Sequence, residues 1–212
     1  MKLTLKIKLY PTADQAKLLL QTMKQANAVC DGISAIAWKE KCFNKINLHH
    51  RCYYESRTSS DLSAQMTVRC IAKVADAYKA DKEAKKKRKS GKGKTGKKEL
   101  AQISFKPLGA IAYDARILSY LPGDCVSIWT MGGRIRIPYF CFNPEYFPYI
   151  QGEADLLFKK GKFYLCQTVE VPKPEKEEVE EFIGCDLGIT NIAVTSDEIK
   201  HSGKWINEYR AK

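Results

Sequence analysis

Met1-Lys2-Leu3-Thr4-Leu5-Lys6-Ile7-Lys8-Leu9-Tyr10-Pro11-Thr12 opens the chain, and its alternation governs how everything after it is read. Leu3, Leu5, Ile7 and Leu9 fall on one side of an extended backbone, and Thr4, Lys6 and Lys8 on the other. That period of two marks a half-buried strand. Pro11 ends it. Thr12 and Gln15 then form a capping-box pattern, in which the hydroxyl serves an orphan N–H at a helix start. A strand needs neighbours, and the helical stretch that follows offers none. Its partners must lie beyond residue 100, so the helices form an insertion between the first strand and the rest of its sheet.

The insertion begins with one long amphipathic helix to about Lys41. Leu19, Met23, Ala26, Cys30, Ile33 and Ala37 advance by alternating fours and threes along one face of it. Residues 43 to 60 are mixed and polar. His49, His50 and Cys52 are the densest soft-ligand cluster there, but no partner pair lies at zinc-site spacing, and a polar loop between two helices accounts for them. Asp61 is placed to cap a second helix, with Met66, Cys70, Val74 and Tyr78 down one face. That helix runs into a basic tract. From Lys82 to Lys98 there are ten Lys or Arg and one acid, Glu83, which is +9 of the whole chain's +12.

After residue 100 the texture changes to short strands and turns. Residues 103–105, 112–113, 116–118, 125–129, 134–137 and 162–171 read as strands. Pro122-Gly123, Gly132-Gly133 and Gly161 are turn signals. The fold class is therefore α+β, a β-barrel or sandwich pattern interrupted by a helical insertion. Residues 1–11 and 100–171 form the barrel, and residues 12–99 the insertion with its basic tract. Residues 172–181, rich in Pro and Glu, form an acidic linker. A second unit begins at residue 182 and reads as strand, turn, strand. Thirty residues cannot bury a core, so this unit is expected to finish on another chain or to be cut short at Lys212.

The chain has 212 residues, 44% of them hydrophobic, with 36 Lys and Arg against 24 Asp and Glu. Such a chain folds rather than staying disordered, and its charge favours a polyanionic partner. No stretch approaches the roughly 18 apolar residues of a membrane span, and the alternating N-terminus lacks a signal peptide's apolar block. The eight cysteines lie at 30, 42, 52, 70, 125, 141, 166 and 185, with no Cys-x-x-Cys among them. Several sit inside apolar patterns, where a free thiol behaves as a small hydrophobe. A reduced, cytoplasmic chain with no membrane partner is expected.

Lys85, Lys86, Lys87, Arg88 and Lys89, with Lys92, Lys94, Lys97 and Lys98, make a phosphate-binding arm. Nearly all are Lys, which supply point charges rather than base-reading forks. The competing reading is a solvated helix end and linker. Tyr139, Phe140, Phe142, Tyr146, Phe147 and Tyr149 crowd a second region. They either stack on bases or, as large aromatics mostly do, pack into the core or anchor a loop.

Asp186 follows the apolar residues Phe182, Ile183 and Cys185 and precedes Gly188 and the apolar run 192–194. An acid at the end of a buried strand needs a partner, and a divalent metal is one. Gly188 allows a tight turn and leaves room for a ligand. Asp and Gly are also ordinary turn residues.

Residues 184–193, Gly-Cys-Asp-Leu-Gly-Ile-Thr-Asn-Ile-Ala, resemble the first RuvC-like motif of the TnpB (OrfB) proteins of insertion sequences, which are relatives of the type V CRISPR effectors. Lys-Leu-Tyr-Pro-Thr at 8–12, the helix carrying Asn27, the helix around Ala75 to Tyr78 and the tail His201-Ser202-Gly203-Lys204 with Tyr209-Arg210 resemble the same family, in order. Cys185 stands where an aliphatic residue is usual. The resemblance implies the N-terminal portion of a transposon-associated, RNA-guided DNA endonuclease. Its wedge-type barrel would be followed by the first strands of an incomplete RuvC/RNase H-like domain.

Guide RNA and target DNA would be the partners, with Mg2+ held at a completed site to which Asp186 gives the first carboxylate. The family's other two acids and its Cys-x-x-Cys segment have no counterpart here. A two-metal site needs several carboxylates, so the chain alone is expected to be inactive as a nuclease, with a second polypeptide needed to complete the domain. Asp197 and Glu198, expected in a hairpin turn, are not substitutes. The alternative is a catalytically inactive nucleic-acid-binding remnant or regulator.

Overall fold

A computed structural model describes residues 1–90, 101–173 and 181–210, the side chains of 86–90 excepted. Two compact units divide the chain, Met1–Pro172 and Lys173–Lys212.

In the first unit, strand β1 (Lys2–Leu9) is followed by helices α1 (Ala13–Glu40), α2 (Lys45–Thr58) and α3 (Ala64–Ser90). Strands β2 (Ile111–Tyr113), β3 (Leu118–Leu121), β4 (Cys125–Thr130), β5 (Gly133–Cys141), β6 (Ile150–Lys159) and β7 (Lys162–Glu170) then complete one antiparallel sheet. Its order is β2-β6-β7-β1-β5-β4-β3. The opening strand thus sits in the middle, paired with β5 on one side and β7 on the other, both far along the chain.

This order forces the sheet to curl. A flat sheet would hold its edges, β2 and β3, about 29 Å apart, six strand steps of about 4.8 Å. The backbone from Tyr113 to Leu118 spans at most about 18 Å. The sheet therefore wraps into a nearly closed barrel. Trp129 N donates to Ile117 O (2.9 Å), and the Tyr113 hydroxyl donates to Trp129 O (3.0 Å) near the closure. Leu5, Ile7, Leu9, Ile137, Leu156 and Leu165 fill the interior, and the helices share one continuous core with it.

The helix starts follow local chemistry. Thr12 accepts from Gln15 N (3.3 Å), and the Gln15 side chain accepts from Thr12 N (3.0 Å), so the capping box is formed. Leu19, Met23, Ala26, Cys30, Ile33 and Ala37 are all buried, as their spacing required. So are Met66, Cys70, Val74 and Tyr78 of α3. The cap of α3 is Ser63 rather than Asp61, since Ser63 Oγ accepts from Met66 N (3.2 Å).

Further readings of the sequence need correction. Residues 45–58 are helix, not loop. Asn44 caps it with bonds from Ile46 N (2.9 Å) and Asn47 N (3.3 Å), while Leu48, Cys52 and Ser56 turn inward at four-residue intervals. Residues 150–159 form a strand whose alternation is interrupted at Gly152, where φ is 71° and the register with β7 shifts, and whose outward positions then carry acids. Glu153 pairs with Arg69 of α3, and partial burial raises the Asp155 carboxyl above its usual range against the opposing pull of Lys73 and Arg69. Residues 103–105 join no ladder, and residues 116–117 belong to a turn, with the strand starting at Leu118.

Side chains of α1 and α3 take over the backbone bonding of the segment that returns the chain to the barrel. Ser34 Oγ donates to Ile103 O (2.6 Å), the Tyr78 hydroxyl accepts from Ile103 N (3.2 Å), and Asp31 accepts from Phe105 N (2.7 Å). Asn27 Nδ2 donates to Pro107 O (3.1 Å) and Gly109 O (2.9 Å), and Lys73 Nζ to Ala110 O (2.7 Å).

In the second unit, β8 (Cys185–Asp186), β9 (Asn191–Thr195) and β10 (Lys200–Ser202) form an antiparallel sheet followed by a short helix, α4 (Lys204–Arg210). Among its described residues only Gly203 is buried.

Candidate nucleic-acid interface

The alternation that buries Leu5, Ile7 and Leu9 turns Lys6 and Lys8 outward. The register then supplies their neighbours. Lys8 stands opposite Phe140 of β5 on one side and Tyr164 of β7 on the other. Directly opposed residues project from the same face of a sheet. The Lys8 ammonium lies 4.5 Å from the centre of the Tyr10 ring, and that of Lys6 lies 4.4 Å from the Tyr164 ring. Tyr10 N donates to Pro138 O (2.9 Å), which continues the row past the end of β1. Arg136 and Lys162 are exposed on the outward positions of β5 and β7.

The aromatics after residue 138 divide between the two readings of them. Tyr139 and Phe147 stack at 5.6 Å with Tyr120 edge-on to both, and together with Tyr146 they pack against the core. Phe140 and Phe142 face outward, 54% and 82% exposed, and Tyr10 is 49% exposed. Exposed apolar rings grouped beside ammonium groups, rather than scattered singly, mark an interaction site. A polyanion with flat apolar bases matches both features, through phosphate pairing and base stacking.

Sequence reading did not single out Lys6, Lys8, Tyr10 or Tyr164 as site residues. The available signal was that the polar half of the first strand's alternation carries lysines, with Tyr10 close by, but the rings of Phe140 and Tyr164 arrive from 130 or more residues away.

The basic tract begins on α3, whose last turns carry Lys85, Lys86, Lys87, Arg88 and Lys89. Lys85 Nζ pairs with Asp81 Oδ2 at 2.6 Å. Lys92, Lys94, Lys97 and Lys98 lie outside the described residues.

Asp186 is exposed at the end of β8, opposite Val194. Gly188 is required where it stands, because a Cβ there would meet Asn191 O at 2.9 Å. Asp197 and Glu198 lie at the turn between β9 and β10. Among the described residues no three His, Cys, Asp or Glu side chains gather as metal ligands, His49, His50 and Cys52 included. A single carboxylate does not fit a two-ion site. Among the described residues no helix is long and apolar enough to cross a membrane. Compared with known proteins, the chain matches no family model and no curated sequence.

Proposed function

We propose that this chain binds nucleic acid as the wedge and recognition part of a TnpB-like RNA-guided system, with guide RNA and target DNA as its partners. The observation that carries the binding role is the outward face of β1, β5 and β7, where Lys6 and Lys8 lie among Tyr10, Phe140 and Tyr164. The order strand, helices, strands supports the family reading, because the family's barrel is interrupted in the same place. In that reading 182–212 opens the RuvC-like domain, and Asp186 is the first of its Mg2+ ligands. A second reading, a binding protein that does not cut, is favoured by the lone, exposed Asp186 among the described acids.

The binding role is tested by titrating RNA and DNA with the wild-type chain and the double variant Lys6→Ala/Lys8→Ala over a range of salt. Each phosphate contact contributes a log–log slope of about −0.7 to −0.9. The variant should flatten the slope by about 1.5, two contacts' worth. Unchanged affinity and slope would remove the barrel face from the interface, and no binding at low salt would end the proposal.

A further inference from the structure

Resting on the binding role above, we infer that the β1–β5–β7 face takes an unpaired strand, bases stacked on Tyr10, Phe140 and Phe142 and phosphates held by Lys6 and Lys8. The argument starts from spacing. Phe140 is the last outward-facing residue of β5, and Phe142 follows just past the strand's end, 82% exposed. Tyr10 and Phe140 are diagonal neighbours across β1 and β5, about 7–8 Å apart. Those two rings are thus one step of about 7–8 Å apart, with Phe142 beyond them.

Bases in a duplex follow one another at about 3.4 Å along each strand, with their faces already covered by the next pair. A duplex can offer this row of rings only its groove edges and phosphates. An unpaired strand can unstack, spread its bases to the longer step and give each ring a base face.

The cations fit the same partner. Lys6 and Lys8 lie between the rings of Tyr10, Tyr164 and Phe140, so charge and apolar surface alternate across the face. A strand laid across it would place phosphates and bases in turn. Lysines supply charge without the planar fork that reads base edges, so the face should tolerate many sequences. Around Lys8, strand addition by a peptide is excluded, because from Ile7 to Leu9 β1 is already paired on both sides.

The test compares four probes on the whole chain: oligouridylate, oligodeoxythymidylate, a duplex of the same length and inorganic polyphosphate. The variants are Phe140→Ala/Phe142→Ala and Lys6→Ala/Lys8→Ala. Both pairs are on the surface, and circular dichroism melting verifies that each variant keeps its fold. The ring variant should weaken the single strands by about 5- to 150-fold per base unstacked. It should leave the salt slope, duplex binding and polyphosphate binding within about twofold, because stacking is not a charge effect. The lysine variant should instead flatten the slope for all four probes. Equal losses for duplex and single strand, or none for either, would overturn the unpaired-strand assignment while leaving the binding role standing. Polyphosphate binding as tight as the oligonucleotides, insensitive to the rings, would reduce the face to an electrostatic patch. Failure of every probe to bind at low salt would overturn both.

Discussion

Replacing Asn27 by Ala should cost about 2–3 kcal/mol of stability, although no apolar contact of any size is lost. The Asn27 side chain is fully buried on α1. Its two amide protons are shared among Met23 O (2.9 Å), Pro107 O (3.1 Å) and Gly109 O (2.9 Å), and its oxygen accepts from Lys73 Nζ at 2.5 Å. Alanine would leave the Pro107 and Gly109 carbonyls without that donor. A buried polar group left unpaired costs about 1–3 kcal/mol. Better helix propensity returns a few tenths, at most about 0.7 kcal/mol. Lys73 keeps its bond to Ala110 O, so its loss is partial.

The net effect is a large share of a domain's total stability of about 5–15 kcal/mol. In urea, with a slope near 2 kcal/mol/M, the midpoint should fall by about 1 M with the slope unchanged. Hydrogen exchange should report the same event locally. The amides of Ile103 and Phe105 donate to Tyr78 and Asp31 on the same helices, and they should exchange faster than those of β1. A midpoint shift below about 0.3 M would mean that water enters and satisfies the two carbonyls, which would refute the account of how this segment is held.

The core supplies a second prediction. Ile7→Ala should cost about 2–5 kcal/mol in the same unfolding assay, because Ile7 is fully buried in the central strand. Burial, with Glu40 and Glu55 nearby, raises the Cys52 thiol from 9.0 to about 11. The folded state therefore keeps that proton longer than the unfolded chain, and stability from this group is full below about pH 9 and lost as pH rises toward 11. Thiol titration with a disulfide reagent at neutral pH should label exposed Cys185 first and Cys30, Cys52 and Cys70 only on unfolding. Changing Lys85, Lys86, Lys87, Arg88 and Lys89 to Ala should flatten the salt dependence of RNA binding by several units and weaken different RNAs by similar factors; an unchanged slope would make the tract a solvated helix end. Purified chain with guide-matched DNA and Mg2+ should show no cleavage. Robust cutting abolished by Asp186→Ala would overturn the carboxylate argument.

Much of the fold was legible because local patterns and core contacts agreed. The period of two in β1, the Thr12–Gln15 box and the inward row from Leu19 to Ala37 each record a residue's own relation to water. The failures have a physical pattern too. In α2 only one side faces the core, and just Leu48, Cys52 and Ser56 mark it, too few to outweigh the polar face around them. In β6 Glu153 and Asp155 take the outward positions, near Arg69 and Lys73 of a distant helix, but a register shift at Gly152 breaks the alternation just before them. Residues 103–105 have strand composition but find side-chain donors and acceptors instead of a neighbouring strand. Of the site, Asp186 and the basic tract were legible as motif and charge, whereas the aromatic cluster left stacking and packing both open until burial separated Phe140 and Phe142 from Tyr139 and Phe147.

Read along its length, the chain is basic, with a lysine-edged strand at its start, a long helical insertion after it and a strand-rich remainder. Those features follow from periodicity, capping chemistry and charge, which are properties of short stretches. Only in the folded chain does Lys8 come to lie between Phe140 and Tyr164, the sheet curl until its edges nearly meet, and Asn27 hold the segment returning to the barrel. Each of these depends on pairing between residues tens to more than a hundred positions apart. Strand register and helix packing set that pairing, and no local pattern encodes it.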